Sequence, residues 1–238
     1  MTVESDVSIP SLNGGQLPGF LVRPEDSADG SPHPALIMIY EVFGMNAEMR
    51  RMAREYAAEG YTVLIPDLFA RGKVRALCVA STMATMATGR GAALGDLESA
   101  RRWLTGQPTV DADRVGAIGF CMGGGFALLL ADTGLYKVVA PFYGRAPLPL
   151  PRACPVVASF GGRDAGMTGY PDKLATDLAS HGVPHDVKTY PEAGHSFATH
   201  TEGIKGTIAG RMPIHAEYHE PSAIDAKARV LTFFCEHL

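Results

Sequence analysis

The sequence predicts a three-layer α/β fold, a sandwich with a mostly parallel central sheet and an N-terminal antiparallel hairpin. Three observations lead there. Short unbroken apolar runs recur, clearest at 35–40, 61–66 and 115–118, and strands that need apolar cover on both faces belong to parallel sheets. Stretches of helical length and pattern separate such runs, the alternation of β-α-β units. Ahead of them, two alternating segments flank Asn13-Gly14-Gly15, the composition of a tight hairpin.

The hairpin strands are expected around 6–9 and 19–22. A Ser, Asp, Gly and Pro-rich loop follows to Pro34, then the strand at 35–40. A helix over 47–59 carries Arg50, Arg51 and Arg54 and stops at Gly60, glycine being the natural helix terminator. The strand at 61–66 runs out into Asp67-Leu68-Phe69-Ala70-Arg71. Residues 72–91 are small and polar with scattered Met and Ala, show no clear period, and read as a loop or lid. A helix over 96–104 precedes the turn at 109–113 and the strand at 115–118. Further strands are expected at 137–143, 154–160 and 185–190, with a helix over 172–181 between the last two. The closing helix is expected to start at Ser222 as N-cap, with Asp225 three residues on. No internal repeat or low-complexity segment interrupts this order.

A chain of 238 residues with 46% hydrophobic and 19% charged residues suits one domain over 1–238, long enough to bury about 70% of its unfolded surface. The net charge of −4, with signs interspersed, offers no basic stripe for nucleic acid. The first residues lack the pattern of a secretory signal, and no run reaches the length of a membrane span. The expectation is a cytoplasmic protein, monomeric or weakly homo-oligomeric, acting on a small molecule. Cys78, Cys121, Cys154 and Cys235 lie too far apart for a zinc knuckle or a redox pair and should be reduced thiols.

The stretch Gly119-Phe120-Cys121-Met122-Gly123-Gly124-Gly125 sits where a buried strand gives way to a helix. Small residues two before and two after the cysteine permit a sharp, strained turn, the form of a nucleophile elbow with sulfur in place of a hydroxyl. Taken alone, the heptapeptide also suits phosphate binding or close packing of helix on sheet. The rest of the chain decides. In an open parallel sheet functional residues gather past the carboxyl ends of strands, and there lie Glu41-Val42-Phe43-Gly44, Asp67 and Arg71, Cys121, Gly161-Gly162-Arg163-Asp164 and Ala193-Gly194-His195-Ser196-Phe197.

Nucleophile, acid and histidine therefore follow the order of α/β-hydrolases. His195 is the expected general base, and Asp164 the residue that fixes its tautomer. The backbone N–H groups of Met122 and Val42 are the expected oxyanion donors. A free thiol is only about 3% thiolate at pH 7, so the helix N-terminus and His195 must activate it. Glu41 does not fit a plain triad, since a carboxylate beside the thiol opposes its ionisation. It reads as an exposed loop acid or as a gate, paired to a cation at rest and freed to take the thiol proton.

These motifs, with Pro66-Asp67-Leu68-Phe69-Ala70-Arg71 and Phe142-Tyr143-Gly144, resemble the dienelactone hydrolases (carboxymethylenebutenolidases), members of the α/β-hydrolase fold, from the strand at 35 to the closing helix. The resemblance implies hydrolysis without cofactor or metal of a small lactone bearing a carboxylate, a dienelactone opened to maleylacetate through an acyl-thioester. It implies that Glu41 helps generate the thiolate once substrate binds, and that two arginines hold the carboxylate, with Tyr143 and Phe43 among the substrate-binding residues. Arg71 matches the first arginine. Where the second belongs this chain has Ala198-Thr199-His200, leaving Arg145 and His200 as substitute cations or a different small ester as substrate. Two rivals remain: a metal site at His215 and His219, spaced as on one helix face, and a non-catalytic homologue that binds a ligand or senses oxidants through Cys121.

Overall fold

The computed structural model describes residues 1–25, 30–70, 72, 74–200 and 214–238. Contacts group the chain into two compact units, Met1–Ala117 and Ile118–Leu238. The strands form one eight-stranded sheet in the order β1-β2-β4-β3-β5-β6-β7-β8.

In the first unit β1 (Thr2–Pro10) and β2 (Gln16–Pro24) are antiparallel from Thr2↔Pro24 to Pro10↔Gln16, each longer than the alternating core that revealed it. Gly14 and Gly15 turn the corner at φ 86° and 76°. The turn is docked onto α3 (Ala92–Thr105). The buried carboxylate of Asp96 accepts from Ser11 Oγ (2.7 Å) and Asn13 Nδ2 (3.1 Å), and Ser99 Oγ accepts the Leu12 N–H (2.9 Å). β2 runs antiparallel to β4 (Thr62–Pro66), and β3 (His33–Ile39) pairs with β4 in parallel. Every residue of β4 is buried, as a strand covered on both faces requires.

Helix α1 (Ala47–Ala58) starts where Asn46 Oδ1 accepts the Met49 N–H at 2.9 Å. It buries Met49, Met52, Ala53, Tyr56 and Ala57, one face at helical spacing, packed on β2 and β4. Two of its arginines reach back to β1, Arg54 to Glu4 and Arg50 to Asp6, and the Arg50 guanidinium lies 4.3 Å over the Phe20 ring. Pairs this exposed contribute about 0–1 kcal/mol each, so the stability of α1 comes from its apolar face.

Residues 72–91 are not the loop that the sequence suggests. Arg75–Thr88 form helix α2, packed on α3 and closed by Gly89 at φ 67°. Its buried stripe is Cys78, Thr82 and Thr85, small and mostly polar, so a correct helical period carried no hydrophobic signal. α3 likewise begins four residues before its expected start, and β5 (Val110–Phe120) absorbs the turn expected at 109–113.

In the second unit α4 (Met122–Ala131) is buried nearly all round and packs on β6 (Val138–Phe142). β7 (Val156–Gly161) lies parallel to β6 and to β8 (His185–Tyr190), the latter from Val156↔His185 to Gly161↔Tyr190. α5 (Tyr170–Ser180) packs on β8, and α6 (Glu220–His237) on β6 and β7. α6 starts two residues before Ser222. Pro221 fits the first turn of a helix, where its missing N–H is not needed, so the cap is His219 and Ser222 Oγ instead meets His219 Nδ1 at 2.8 Å. Among the described residues no helix is long and apolar enough to cross a membrane.

Candidate active site

Strand β5 hands the chain to α4 through Cys121, at φ 55° and ψ −115°. A side chain held there costs about 1–3 kcal/mol and persists only where surroundings enforce it. Here two backbone approaches enforce it. A Cβ on Gly119 would lie 1.9 Å from the Gly123 carbonyl oxygen, and one on Gly144 would lie 2.4 Å from Gly125 N and 2.5 Å from Cys121 O. Within that crossing the Cys121 N–H donates to Phe142 O at 3.0 Å, and Cys121 O accepts the Gly125 N–H at 3.2 Å. The sulfur is thus fixed at the head of α4, beside the Met122 N–H, which at a first helical position has no acceptor within the helix. Gly144→Ala, meeting backbone on both sides, should destabilise the protein by about 3 kcal/mol and lower Tm by about 6–12 °C. Thermal melts check this, and an unchanged Tm would deny the crossing its role.

The acid stands three residues past β7. Asp164 is 2% exposed, and its two oxygens have separate duties. Oδ1 accepts the Gly166 N–H at 2.9 Å, capping a turn of 3-10 helix at Ala165–Met167, and Oδ2 faces His195 Nδ1 at 2.6 Å. The first bond aims the second. His195 is held in turn from behind: its N–H donates to Ile214 O at 2.7 Å, the His219 N–H donates to Phe197 O at 2.9 Å, and Ser196 takes φ 57°. The buried Tyr143, at φ 38°, sets its ring 5.1 Å from the imidazole.

The Cys121 side chain completes the line by hydrogen bonding to His195. Burial alone lowers the imidazole pKa, but the hydrogen bonds to Asp164 and Cys121 and the negative charge of both outweigh it and raise it to about 10. The imidazolium is therefore the favoured form at neutral pH. Such a line can hold the proton taken from the thiol, stabilise the charged pair, and pass the proton to a leaving group.

Cys121, Asp164, His195 and Tyr143 are thus brought together in the second unit. In the first, Glu41, Val42 and Phe43 share one turn past β3, closed by the Gly44 N–H on Glu41 O at 2.9 Å. Glu41 is buried at 4% exposure and not the exposed loop acid that was one reading of it, while Phe43 is exposed. Arg75 at the head of α2 donates to Phe43 O at 2.9 Å, a contact hidden from sequence because α2 itself was hidden. Arg71 lies outside the described residues.

Thr199, in the place of the second arginine, is 2% exposed, its hydroxyl donating to Ser196 O at 3.1 Å with the Tyr143 hydroxyl at 3.5 Å. His200 stacks on Tyr218 at 3.8 Å, and Arg145 is exposed. The metal rival finds no helix at 215–219. His215 Nδ1 meets Arg163 Nη2 at 3.1 Å, and His219 Nδ1 is engaged by Ser222. The segment 214–219 serves instead as the strap behind His195, and its two histidines were the only trace of it in the sequence.

Comparison with known proteins gives the family and the fold. The sequence model of the dienelactone hydrolase family matches residues 17–238. The carboxymethylenebutenolidase of Pseudomonas putida is 29% identical over 217 residues, covering 85% of this chain and 90% of that protein. A Klebsiella pneumoniae protein, provisionally described as a dienelactone hydrolase, superposes with a TM-score of 0.81 at 25% identity over 100% of both chains. P91, a dienelactone hydrolase-like promiscuous phosphotriesterase from metagenomic libraries, superposes at 0.83 and 24% identity, covering 99% of this chain and 98% of its own. These neighbours share the α/β-hydrolase fold.

Proposed function

The chain belongs to the dienelactone hydrolase family and is a hydrolase acting on esters, and from that premise we propose that Cys121, His195 and Asp164 act as its triad on a small lactone. One observation carries the proposal: the 2.6 Å bond of Asp164 Oδ2 to His195 Nδ1, on an imidazole that the Cys121 side chain also acts on from the head of a helix.

His195 already holds the proton taken from Cys121, and the thiolate of this pair attacks the lactone carbonyl. The charge that forms on the carbonyl oxygen is met by the Met122 N–H, and by the Val42 N–H as second donor. Collapse breaks the ring C–O bond, and the imidazolium returns its proton to the leaving oxygen, giving an acyl-thioester on Cys121. Water, deprotonated by His195, then attacks the thioester; the acid leaves and the thiol is restored. The Asp164 carboxylate keeps Nδ1 protonated throughout, so that Nε2 faces the reaction.

The substrate is a lactone of the carboxymethylenebutenolide type, with Arg71 assigned to its carboxylate and Tyr143 and Phe43 among the residues assigned to its binding. Thr199 offers a hydroxyl already engaged, so a charge-assisted contact of about 1.5–3 kcal/mol is missing there, and other small esters compete on closer terms. Glu41 accelerates thiolate formation when substrate is bound. The reaction belongs in the cytoplasm, where the thiol stays reduced.

Rapid acid quenching during turnover of p-nitrophenyl acetate should trap an acetyl group on the Cys121 peptide, read by mass. Glu41→Gln should slow the appearance of that adduct without abolishing it. Acetylation elsewhere, or turnover with no adduct, would refute the thioester route.

A further inference from the structure

We propose that Tyr190 is a positioning residue of this hydrolase: anchored through its hydroxyl to α6, it holds the acid loop and the histidine loop at the separation that lets Asp164 reach His195. The proposal rests on the triad reading above and adds what sets its geometry.

Tyr190 is the last residue of β8, paired with Gly161 at the end of β7. Its carbonyl oxygen is shared. It accepts the Gly162 N–H at 2.8 Å and the Ala193 N–H at 3.1 Å. Gly162 stands two residues before Asp164 and Ala193 two residues before His195, so one atom ties the roots of both loops, and the Arg163 N–H on Ala193 O at 2.9 Å closes the link. The ring adds a third hold, 5.1 Å from Phe197, two residues past His195.

The hydroxyl fixes where that shared atom lies. It donates to Asp225 Oδ2 at 2.7 Å and receives Arg229 Nη1 at 3.1 Å. Arg229 reaches on to Ser159 Oγ of β7 at 3.1 Å and pairs with Asp186 of β8 at 2.7 Å, and Lys188 bonds Asp225 at 2.7 Å with its ammonium 4.9 Å over the Tyr190 ring. The charged groups around the phenol are thus Asp225 and Arg229 from α6 and Lys188 and Asp186 from β8. Burial comes first in pushing the phenol up to about 12, helped by Asp225 and opposed by Arg229, so it remains a donor across the working range. Ser159 is fully buried and Tyr190 is 6% exposed, so the inner end of the network is enclosed while Asp225, Lys188 and Asp186 close it from the half-exposed side. A 2.6 Å bond between Asp164 and His195 needs such a network, since catalytic groups must be held within about 0.5 Å of their working positions.

Tyr190→Phe removes the hydroxyl and keeps the ring on Phe197. With p-nitrophenyl acetate, kcat should fall about tenfold with KM within about twofold, and the alkaline limb of kcat/KM, set by His195, should move down by about half a unit or more. The downfield Nδ1 proton resonance of His195 should move upfield as its bond to Asp164 lengthens. Asp225→Ala, at a half-buried position on α6, should give the same shifts in smaller measure and serves if Tyr190→Phe does not fold. An unmoved limb and resonance, whatever the loss in Tm, overturn the proposal, because a merely structural tyrosine moves Tm alone. Turnover retained by Cys121→Ala would instead refute the triad reading, and the Nδ1 resonance, which needs no turnover, would still decide whether Tyr190 sets the loops.

Discussion

Replacing Cys121 by alanine is expected to lower turnover of esters and lactones by at least about 10⁴-fold, because triad members act as a unit and the remaining site contributes only binding and oxyanion contacts. The fold should survive. Cys121 sits at φ 55° whatever its side chain, and the backbone bonds that hold it, Cys121 N–H to Phe142 O and Gly125 N–H to Cys121 O, do not involve sulfur. Alanine inherits the strain; glycine at the same place would relieve it. Cys121→Gly should therefore be as inactive as Cys121→Ala but more stable by about 1 kcal/mol. Loss of the sulfur also removes one partner that raises the His195 pKa, so His195 should titrate below about 10 in either variant, followed by NMR of the imidazole. Residual activity near the native level would move the nucleophile elsewhere.

The residues proposed as the triad were legible in the sequence because each sits past the end of a strand, and a strand end is legible when the strand is an apolar run. Cys121 and Asp164 each follow such a run. It disclosed α2 poorly for the converse reason: Cys78, Thr82 and Thr85 bury a stripe too polar for hydrophobic periodicity to register. Ser222 misled as a cap because side-chain preference pointed to it while Pro221 could occupy the first helical turn. What supports His195 was almost invisible. The strap at 214–219 acts through the carbonyl of Ile214 and the N–H of His219, and Tyr190 acts through its carbonyl on Gly162 and Ala193; backbone contacts of this kind carry no residue signature. The burial of Glu41 was likewise unreadable, a short turn giving no period from which exposure follows.

Asp164→Asn tests the electrostatics of that line, and its sign can be worked out. In the native protein burial depresses the His195 pKa, while Asp164 and Cys121 together raise it to about 10. A raised imidazole pKa stabilises the folded state fully below its ordinary value near 6.5, and that contribution is lost as pH climbs toward 10. Asparagine removes the Asp164 charge and leaves the burial. It also turns the hydrogen bond around: with Gly166 N–H still on the amide oxygen, as it is on Oδ1 now, the amide nitrogen faces Nδ1 and donates to it. The proton is then forced to Nε2, the atom that must accept from the thiol, so kcat should fall about 10⁴-fold, as expected when the base is locked in the wrong tautomer. The alkaline limb of the residual activity should move down toward neutrality, and the decline of Tm between pH 7 and 10 should flatten. A variant with the native limb and the native Tm profile would show that the His195 charge is set by something other than the carboxylate 2.6 Å away.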